Sequence, residues 1–315
     1  MPKIRIATRK SELALWQANE VRRLLQVHHP ELDVELVGVS TEGDRILDRP
    51  LSRIGGKGLF VKALELALLD GQADVAVHSL KDVPSRFEDD FELAAYLERE
   101  DPRDALVAPR PRGGSAAPLI RSLDDLPQGA RVGSSSLRRQ MQLNALRPDL
   151  KMVAARGNVN TRLAKLDAGD FDVLVLAAAG LKRLDLAERM DVLLSPEDSL
   201  PAAGQGIIAV ECLADSDVAR WLGAIDHAES RRVALAERHV CRRLDASCSI
   251  PLAVYAQVSG GEIGLRSRLG SLRGELVAAD GHGTEPLAVA DQVADALFAA
   301  GARRILREFA DEVDS

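Results

Sequence analysis

The sequence predicts an α/β fold for roughly the first two hundred residues, followed by a smaller α+β unit. Up to about residue 210, short runs of β-branched residues alternate with helical patterns, which predicts mainly parallel sheets covered by helices on both faces. A long helical pattern then precedes three strand-like runs separated by glycine-rich turns, as in an antiparallel meander. The length of 315 residues suits two or three domains.

The spacing of apolar residues predicts the individual elements. In the first helix, Ala18, Val21 and Leu25 recur at helical spacing and form one apolar face. Predicted strands cover residues 4–7, 34–39, 74–77, 92–95, 131–133, 151–155, 173–177 and 207–211, and further helices cover residues 60–69, 137–146 and 161–168. In the last unit we expect a helix over residues 226–244, strands over 252–258, 262–269 and 275–279, and one final helix over 287–309. No internal repeat is visible.

Composition excludes several classes of function. The net charge is −7 and aromatic residues make up only 3%, so a general polyanion binder or a stacking surface for nucleic-acid bases is not expected. We see neither an export signal nor an apolar run long enough to span a membrane. Three cysteines are an odd number for a disulfide framework, and neither they nor the histidines have metal-ligand spacing. We therefore expect a cytoplasmic protein without a metal site.

Polar clusters follow the carboxyl ends of predicted strands in both halves of the α/β region. They lie at residues 8–11, 41–44, 78–82, 134–139 and 156–158. Open α/β sheets bind ligands beyond the carboxyl ends of their strands, so two facing lobes would gather these clusters around one ligand. The alternative, that loops are simply polar, remains open at this point.

Arginines in these clusters suggest the chemistry of the ligand. A guanidinium group binds a carboxylate through two parallel hydrogen bonds, and helix N-termini add backbone N–H donors. Ser134–Ser136, just before a predicted helix, would serve as both cap and anion cradle. Ordinary capping explains these serines but not the adjacent pair Arg138 and Arg139. The arginines concerned are Arg9, Arg138, Arg139, Arg156 and Arg162.

Asp82 and Cys248 are the candidates for chemistry. Asp82 lies in a strand-end loop, where an ionised carboxylate among arginines could stabilise a cation or relay a proton; a structural pair with Lys81 is the alternative. Cys248 lies in a loop of small residues after a helix, where a thiol could be accessible. Cys212 and Cys241 lie in apolar contexts that favour burial in the core.

Taken together, these segments resemble the porphobilinogen deaminase (hydroxymethylbilane synthase) family. The resemblance runs in order from residue 4 to about residue 253, and HSLKDVP, SSLRRQ and RGNVNTRL are its most specific motifs. The matching segments are IATRKSELALWQ, STEGDRILDRPL, GGKGLFVKALE, DVAVHSLKDVP, EREDPRDALV, GSSSLRRQ, RGNVNTRL, LAAAGLKRL, LPAAGQG and CSIPLA. Ala246-Ser247 stands where the family often has a glycine pair, which could alter the loop before the cysteine.

The resemblance implies two periplasmic-binding-protein-like lobes, residues 1–98 with 205–225 and residues 99–204, and an α+β domain over residues 226–315. It implies a dipyrromethane cofactor bound through a thioether to Cys248 and a catalytic carboxylate at Asp82. It also implies a cytoplasmic, monomeric transferase, with neither nucleic acid nor membrane as partner, that joins four porphobilinogen molecules into the linear hydroxymethylbilane. The implied cofactor- and substrate-binding residues are Arg9, Ser11, Lys57, Phe60, Ser79, Lys81, Ser135, Ser136, Arg138, Arg139, Arg156, Asn158, Arg162 and Arg183.

A second hypothesis from another class is a two-lobed binding or sensing protein for a small anion. Such a protein would share the fold and the cleft, but it needs no covalent cofactor and is commonly exported. The intact mass of the purified protein separates the two hypotheses, because only the enzyme would carry an added group on Cys248.

Overall fold

The structure, a computed structural model, describes residues 1–40, 58–86, 89–110, 120–246, 250–271 and 274–313, with side chains throughout these ranges except at 58–60 and 310–313. The strands are β1 (Lys3–Arg9), β2 (Asp33–Val39), β3 (Val75–Ser79), β4 (Phe91–Tyr96), β5 (Asp104–Val107), β6 (Arg131–Gly133), β7 (Lys151–Val153), β8 (Val173–Ala177), β9 (Val192–Leu193), β10 (Ile208–Leu213), β11 (Leu252–Ser259), β12 (Glu262–Gly270) and β13 (Leu276–Gly283). The helices are α1 (Glu12–His28), α2 (Gly58–Leu69), α3 (Leu137–Leu146), α4 (Val159–Asp167), α5 (Ala178–Arg183), α6 (Ala219–Leu222), α7 (Ala228–Arg243), α8 (Pro286–Ala299) and α9 (Ala302–Val313). Short 3₁₀ turns lie at Leu80–Asp82, Leu123–Asp125, Ala187–Arg189 and Gly223–Ile225.

The first lobe is built on a five-stranded sheet in the order β2-β1-β3-β10-β4. Helix α1 covers one face of it, because Ala18, Val21 and Leu25 form the expected apolar stripe and are fully buried. Strand β10 runs antiparallel to both neighbours, while the other four strands run in one direction, so the sheet is mainly parallel as expected but contains one reversed strand. The reason is that β10 returns from the second lobe and enters the sheet from its opposite end.

The second lobe repeats this topology, although no repeat is visible in the sequence. Its sheet has the order β7-β6-β8-β5-β9, in which β5 is the strand antiparallel to its neighbours. Strands β6 and β8 begin and end where the sequence predicts them. Strands β5 and β9 were not predicted, and with four and two residues they are too short for a periodic pattern.

Two chain crossings connect the lobes, one between β4 and β5 and one between β9 and β10. They lie side by side, since the Glu100 N–H donates to the Gly206 carbonyl at 3.1 Å and the Arg99 Nε–H donates to the Gln205 carbonyl at 2.8 Å. Gly206 has a φ of +90°, and a Cβ there would lie 2.2 Å from the Glu100 carbonyl oxygen. A glycine is therefore required where the two crossings touch.

The third unit packs α7 and α8 against the antiparallel sheet β11-β12-β13. This confirms the expected α+β character of the C-terminal region. The single helix expected over residues 287–309 is wrong, because the chain breaks between α8 and α9 at Gly301, which has a φ of +102°. A left-handed glycine ends a helix by turning the chain away from the helical path.

One apolar cluster joins the third unit to the first lobe. It combines Val233, Val240 and neighbouring residues of α7 with Leu80 and Ile207 of the first lobe. Helix α7 is therefore shared between the two, with one face on the meander and one on the strand ends of the first lobe. Within the described ranges, every helix is too short or too polar to cross a lipid bilayer.

Candidate functional site

The strand ends of the first lobe enclose a pocket of about 80 Å³. Its wall comes from the end of β1, the first turns of α1, helix α2 and the end of β3. The structure thus brings four of the predicted site residues together, Arg9, Ser11, Ser79 and Asp82. The other lining residues are Leu13, Ala14, Gln17, Val61, Leu64, Val77 and His78.

Helix α1 is fixed to this pocket by its first turns. Ser11 caps the helix, since its Oγ accepts from the Ala14 N–H at 3.4 Å. Gln17 is buried and donates from Nε2 to the Ser79 Oγ at 2.7 Å, which ties the helix to the end of β3. Gln17 is not among the predicted site residues, since a polar residue in an amphipathic helix gives no sign of a partner 62 residues away.

Asp82 lies in the 3₁₀ turn after β3 and is partly buried. The Leu80 N–H donates to the Ile207 carbonyl, and the Val83 N–H donates back to the Leu80 carbonyl, both at 3.0 Å. The Leu80 side chain fills the space over Gly204, where a Cβ would lie 2.6 Å from it. The second crossing therefore holds the backbone that carries Asp82, through its contacts with Leu80.

The second lobe presents its polar residues at two helix starts. Asn158 caps α4 by accepting from the Thr161 N–H at 2.8 Å. Ser135 donates from Oγ to the Ala155 carbonyl at 3.0 Å and is exposed. Ser136 occupies the N-cap position of α3 but makes no side-chain capping bond, so the expected capping role of this serine is wrong. Instead, the Ser136 N–H donates to the Ser134 Oγ.

Arg138 and Arg139 both face Asp104, a fully buried carboxylate on β5. The Arg138 Nη1–Asp104 Oδ2 distance is 2.8 Å and the Arg139 Nη2–Asp104 Oδ1 distance is 2.7 Å. Asp104 also accepts from the Ser199 Oγ at 2.8 Å and from Gln205 Nε2 at 2.9 Å. Much of the hydrogen-bonding capacity of this pair is thus used inside the protein, while the Arg139 Nε is buried and has no hydrogen-bond partner in the part of the chain that the structure describes.

The charge of Asp104 depends on these two arginines. Burial by itself would raise the pKa of this carboxyl, but the Arg138 and Arg139 guanidinium groups outweigh it and hold the pKa well below its usual range. The carboxyl therefore stays ionised inside the second lobe. Asp104 is not among the predicted site residues, because it begins β5, a strand of four residues that was not predicted from the sequence.

The charge of Arg162 is influenced by two further arginines of the second lobe and by Asp82 of the first lobe. The pKa of Arg162 is lowered to about 10, first by burial and then by the charges of Arg139 and Arg156, while the Asp82 carboxylate opposes the shift. Arg162 Nε donates to the Gly157 carbonyl at 2.8 Å. A partly buried cation that is repelled by two others favours an anionic ligand, and the Asp82 carboxylate supplies part of the compensating charge.

Lys81 and Arg183 face the second crossing. Arg183 is buried, donates from Nη2 to the Gly206 carbonyl at 2.6 Å, and lies over the Trp16 ring at 5.7 Å. Burial lowers the pKa of Arg183 to about 10. Lys81 Nζ donates to Gln205 Oε1 at 3.4 Å. Because Gln205 also donates to Asp104, a chain of hydrogen bonds runs from the turn of Asp82 to the arginine pair.

Three predicted site residues lie outside what the structure describes: Lys57, the side chain of Phe60, and Cys248. The chain on either side of Cys248 is described, and Ala246 and Ile250 both pack against the apolar cluster under α7. Cys212 is fully buried, and burial together with the Glu92 carboxylate raises the pKa of its thiol to about 12. Among the described residues, no group of His, Cys, Asp or Glu could hold a metal ion.

Known proteins are similar to this chain both in sequence and in fold. The family described as porphobilinogen deaminase, dipyromethane cofactor binding domain, matches residues 4–220, and the porphobilinogen deaminase C-terminal domain matches residues 232–299. Among solved structures, the VFT2 domain of BvgS from Bordetella pertussis is 19% identical, with 74% of this chain and 91% of that one covered and a TM-score of 0.44. The aliphatic sulphonate binding protein SsuA from Escherichia coli is 14% identical, with 79% and 72% covered and a TM-score of 0.40.

Replacement of Asp104 by Asn should destabilise the protein by about 3–5 kcal/mol, because it leaves two buried guanidinium groups without their counter-charge. Since the folded-state pKa is lowered, the stabilisation by Asp104 is present above the ordinary carboxyl pKa of about 3.9 and is lost as the pH falls below it. Urea unfolding between pH 3 and pH 7 should therefore show a weaker acid dependence for Asp104→Asn.

The matched control is Asp172→Asn, which removes an aspartate that also accepts from an arginine but at the surface. Solvent screens this pair, so its loss should change stability little. Equal losses in the two variants would contradict the role given to Asp104.

Proposed function

The chain belongs to the porphobilinogen deaminase family, and on that premise we propose which of its residues carry out the family's reaction. The enzyme is a hydroxymethylbilane synthase, a transferase of tetrapyrrole biosynthesis. It deaminates four porphobilinogen molecules and joins them head-to-tail, with release of ammonia. Its cofactor is dipyrromethane. The observation that carries the assignment of residues is the pocket at the strand ends of the first lobe, which brings Arg9, Ser11, Ser79 and Asp82 together.

The residues present fit a dipyrrole with carboxylate side chains. Arg162 is a partly buried cation whose pKa is lowered first by burial and then by the charges of Arg139 and Arg156, and the Arg139 Nε is a buried donor without a hydrogen-bond partner among the described residues. Both are relieved by a carboxylate ligand. Bound through a thioether to Cys248, the dipyrromethane would supply the free pyrrole α-carbon from which the chain is extended. Cys248 is the proposed attachment site because it stands in the family-like segment CSIPLA, whereas Cys212 is buried and its thiol pKa is raised to about 12.

The arginines neutralise a charge that grows during the reaction. Each porphobilinogen adds two carboxylates, so the cleft must accept more negative charge at every step. We assign this role to guanidinium groups from both lobes, which act locally in a protein of net charge −7. Arg138 contributes indirectly, since it binds the Asp104 carboxylate that also holds Arg139. The proposed set is Arg9, Arg138, Arg139, Arg156, Arg162 and Arg183, supported by Ser11, Ser79, Lys81, Ser135, Ser136 and Asn158, with Lys57 and Phe60 retained from the sequence.

Asp82 is the proposed catalytic carboxylate. As ammonia leaves the aminomethyl group, positive charge develops on the pyrrole, shared by its ring nitrogen. An ionised carboxylate held beside that nitrogen stabilises the charge as it forms. After the new carbon–carbon bond forms, the attacking pyrrole must lose the proton of its α-carbon to become aromatic again, and the carboxylate is a suitable acceptor. The 3₁₀ turn that holds Asp82 is fixed to the second crossing, which supports a preorganised position.

We further propose three domains with the boundaries expected from the sequence: residues 1–98 with 205–225, residues 99–204, and residues 226–315. The three separate sheets support this division. We also propose that the enzyme acts as a monomer in the cytoplasm and binds neither nucleic acid nor membrane. The free, buried thiol of Cys212 fits a reducing compartment.

The purified protein should be heavier than its sequence by two deaminated pyrrole units, all attached to Cys248. Cys248→Ser should have the unmodified mass and no activity, whereas the control Cys241→Ser should keep the added mass. Intact-mass and peptide mass spectrometry measure both. An active wild-type protein without the added mass, or an added group on Cys241, would contradict the proposal.

Arg162→Leu should lower kcat/KM by about 10- to 100-fold, because a charge-assisted hydrogen bond is worth about 1.5–3 kcal/mol. Arg162→Lys keeps the charge but not the two-pronged geometry, so its activity should be intermediate. Steady-state kinetics measure this on cofactor-loaded protein, with Arg131→Leu, at an exposed position of the same lobe, as the control. Equal kinetics for Arg162→Leu and wild type would exclude a carboxylate-binding role.

Asp82→Asn should lower kcat and kcat/KM together by about 100- to 1,000-fold, since it removes a charge that acts in the transition state. Asp82→Glu keeps the charge and moves it by one methylene, so it should retain part of the turnover. Both variants should still bind substrate, because the arginines remain. A preserved kcat with a raised KM in Asp82→Asn would make Asp82 a binding residue instead.

A further inference from the structure

Arg238, on helix α7 of the third unit, reaches across to the first lobe. Its guanidinium group is buried and donates to three consecutive carbonyls: Nη2 to Pro84 at 2.7 Å, Nη1 to Val83 at 3.3 Å and Nη2 to Ser85 at 3.5 Å. These carbonyls belong to the three residues that directly follow Asp82. One side chain of the third unit therefore holds the backbone on the C-terminal side of the proposed catalytic carboxylate.

The neighbouring residue on α7 holds the other side of the same turn. Glu237 Oε2 accepts from the Gly204 N–H at 2.6 Å, and Gly204 lies directly under Leu80, at the start of the turn. Two adjacent residues of one helix thus fix the turn of Asp82, Glu237 through the second crossing and Arg238 by direct contact.

The same helix leads into the cofactor loop. Helix α7 ends at Arg243, and Cys248 follows five residues later in the sequence. Helix α7 thus holds the backbone after Asp82 and also begins the path of the chain towards Cys248, so loss of the Arg238 contacts would shift the turn of Asp82 relative to this helix. Electrostatic stabilisation depends steeply on position, and a misplacement of about 1 Å can cost about 100-fold in rate.

We propose that Arg238 is a positioning residue for the deaminase reaction. It sets the position of Asp82 relative to the pyrrole that is attached through the third unit. This rests on the proposed role of Asp82. Arg238 acts through the backbone of residues 83–85, so its loss should change the chemical step more than substrate binding. The planar guanidinium group with its five donors suits this task, because it spans three carbonyls that an ammonium group could not reach at once.

The test compares Arg238→Lys with the matched control Arg231→Lys. Arg231 lies two turns earlier on the same helix and also ties α7 to the first lobe, with Nη2 donating to the Ala94 carbonyl at 2.7 Å and Nε to Asp226 at 2.7 Å. It contacts neither the turn of Asp82 nor the residues after it in the described hydrogen bonds. Both variants are measured as full-length, cofactor-loaded enzyme, with the loaded fraction determined by intact mass.

Arg238→Lys should lower kcat at least tenfold and leave KM within twofold, whereas Arg231→Lys should leave both within twofold at a similar loss of melting temperature. Equal kcat values in the two variants would overturn the proposal, since Arg238 would then only stabilise the fold. A raised KM with unchanged kcat would overturn it too. If Arg238→Lys does not accumulate as loaded protein, Arg238→Gln, which keeps an amide donor, replaces it in the same comparison.

A double-variant cycle distinguishes this proposal from the role of Asp82 itself. If Arg238 acts through Asp82, Arg238→Lys should lower kcat less than threefold when Asp82→Glu is already present, because the carboxylate is displaced in either case. Independent, multiplicative effects would refute the coupling and leave the role of Asp82 intact. Wild-type kinetics for Asp82→Asn would instead reject the role of Asp82 and the proposal that depends on it.

Discussion

The fold depends on one buried carboxylate, that of Glu237 on helix α7. It accepts from the Arg99 Nη1 at 2.7 Å, from the Gly204 N–H at 2.6 Å and from the Ala256 N–H at 2.7 Å. These donors belong to the first crossing, the second crossing and the meander of the third unit. A fully buried charge is tolerated only when its partners are in place, so the three parts of the chain must assemble together around it. The relative position of both lobes and the cofactor-bearing unit follows from this requirement.

Asp104 is a second buried carboxylate that joins separate parts of the chain. It joins the arginine pair of α3 to Gln205 of the second crossing, and Gln205 in turn accepts from Lys81. The arginine pair of α3 is thus oriented by a carboxylate behind it, rather than standing isolated on a surface. This arrangement keeps the cations charged and in place before any ligand arrives, which lowers the cost of ordering them on binding.

The sequence predicts features that depend on local pattern and leaves out those that depend on distant partners. The spacing of apolar residues and the length of each apolar run predicted β6, β8 and the apolar stripe of α1. The polar residues that follow the predicted strands included Arg9, Ser79 and Asp82, which line the pocket. Strands β5 and β9 are short and owe their existence to pairing inside the second sheet. Likewise, nothing near Arg138 indicates that its partner is Asp104, because that contact spans 34 residues. The break at Gly301 was missed because the apolar pattern continues on both sides of it.

The exchange of strands between the lobes has a consequence for synthesis of the chain. Strand β10 lies between β3 and β4, so the first sheet has a gap in its middle until residues 208–213 have left the ribosome. Meanwhile β3 and β4 expose unpaired edges while the whole second lobe is being made, and such edges invite pairing with other chains. The N-terminal lobe therefore cannot mature first, as an ordinary leading domain does, and a nascent chain interrupted before residue 208 is a natural substrate for chaperones and proteases.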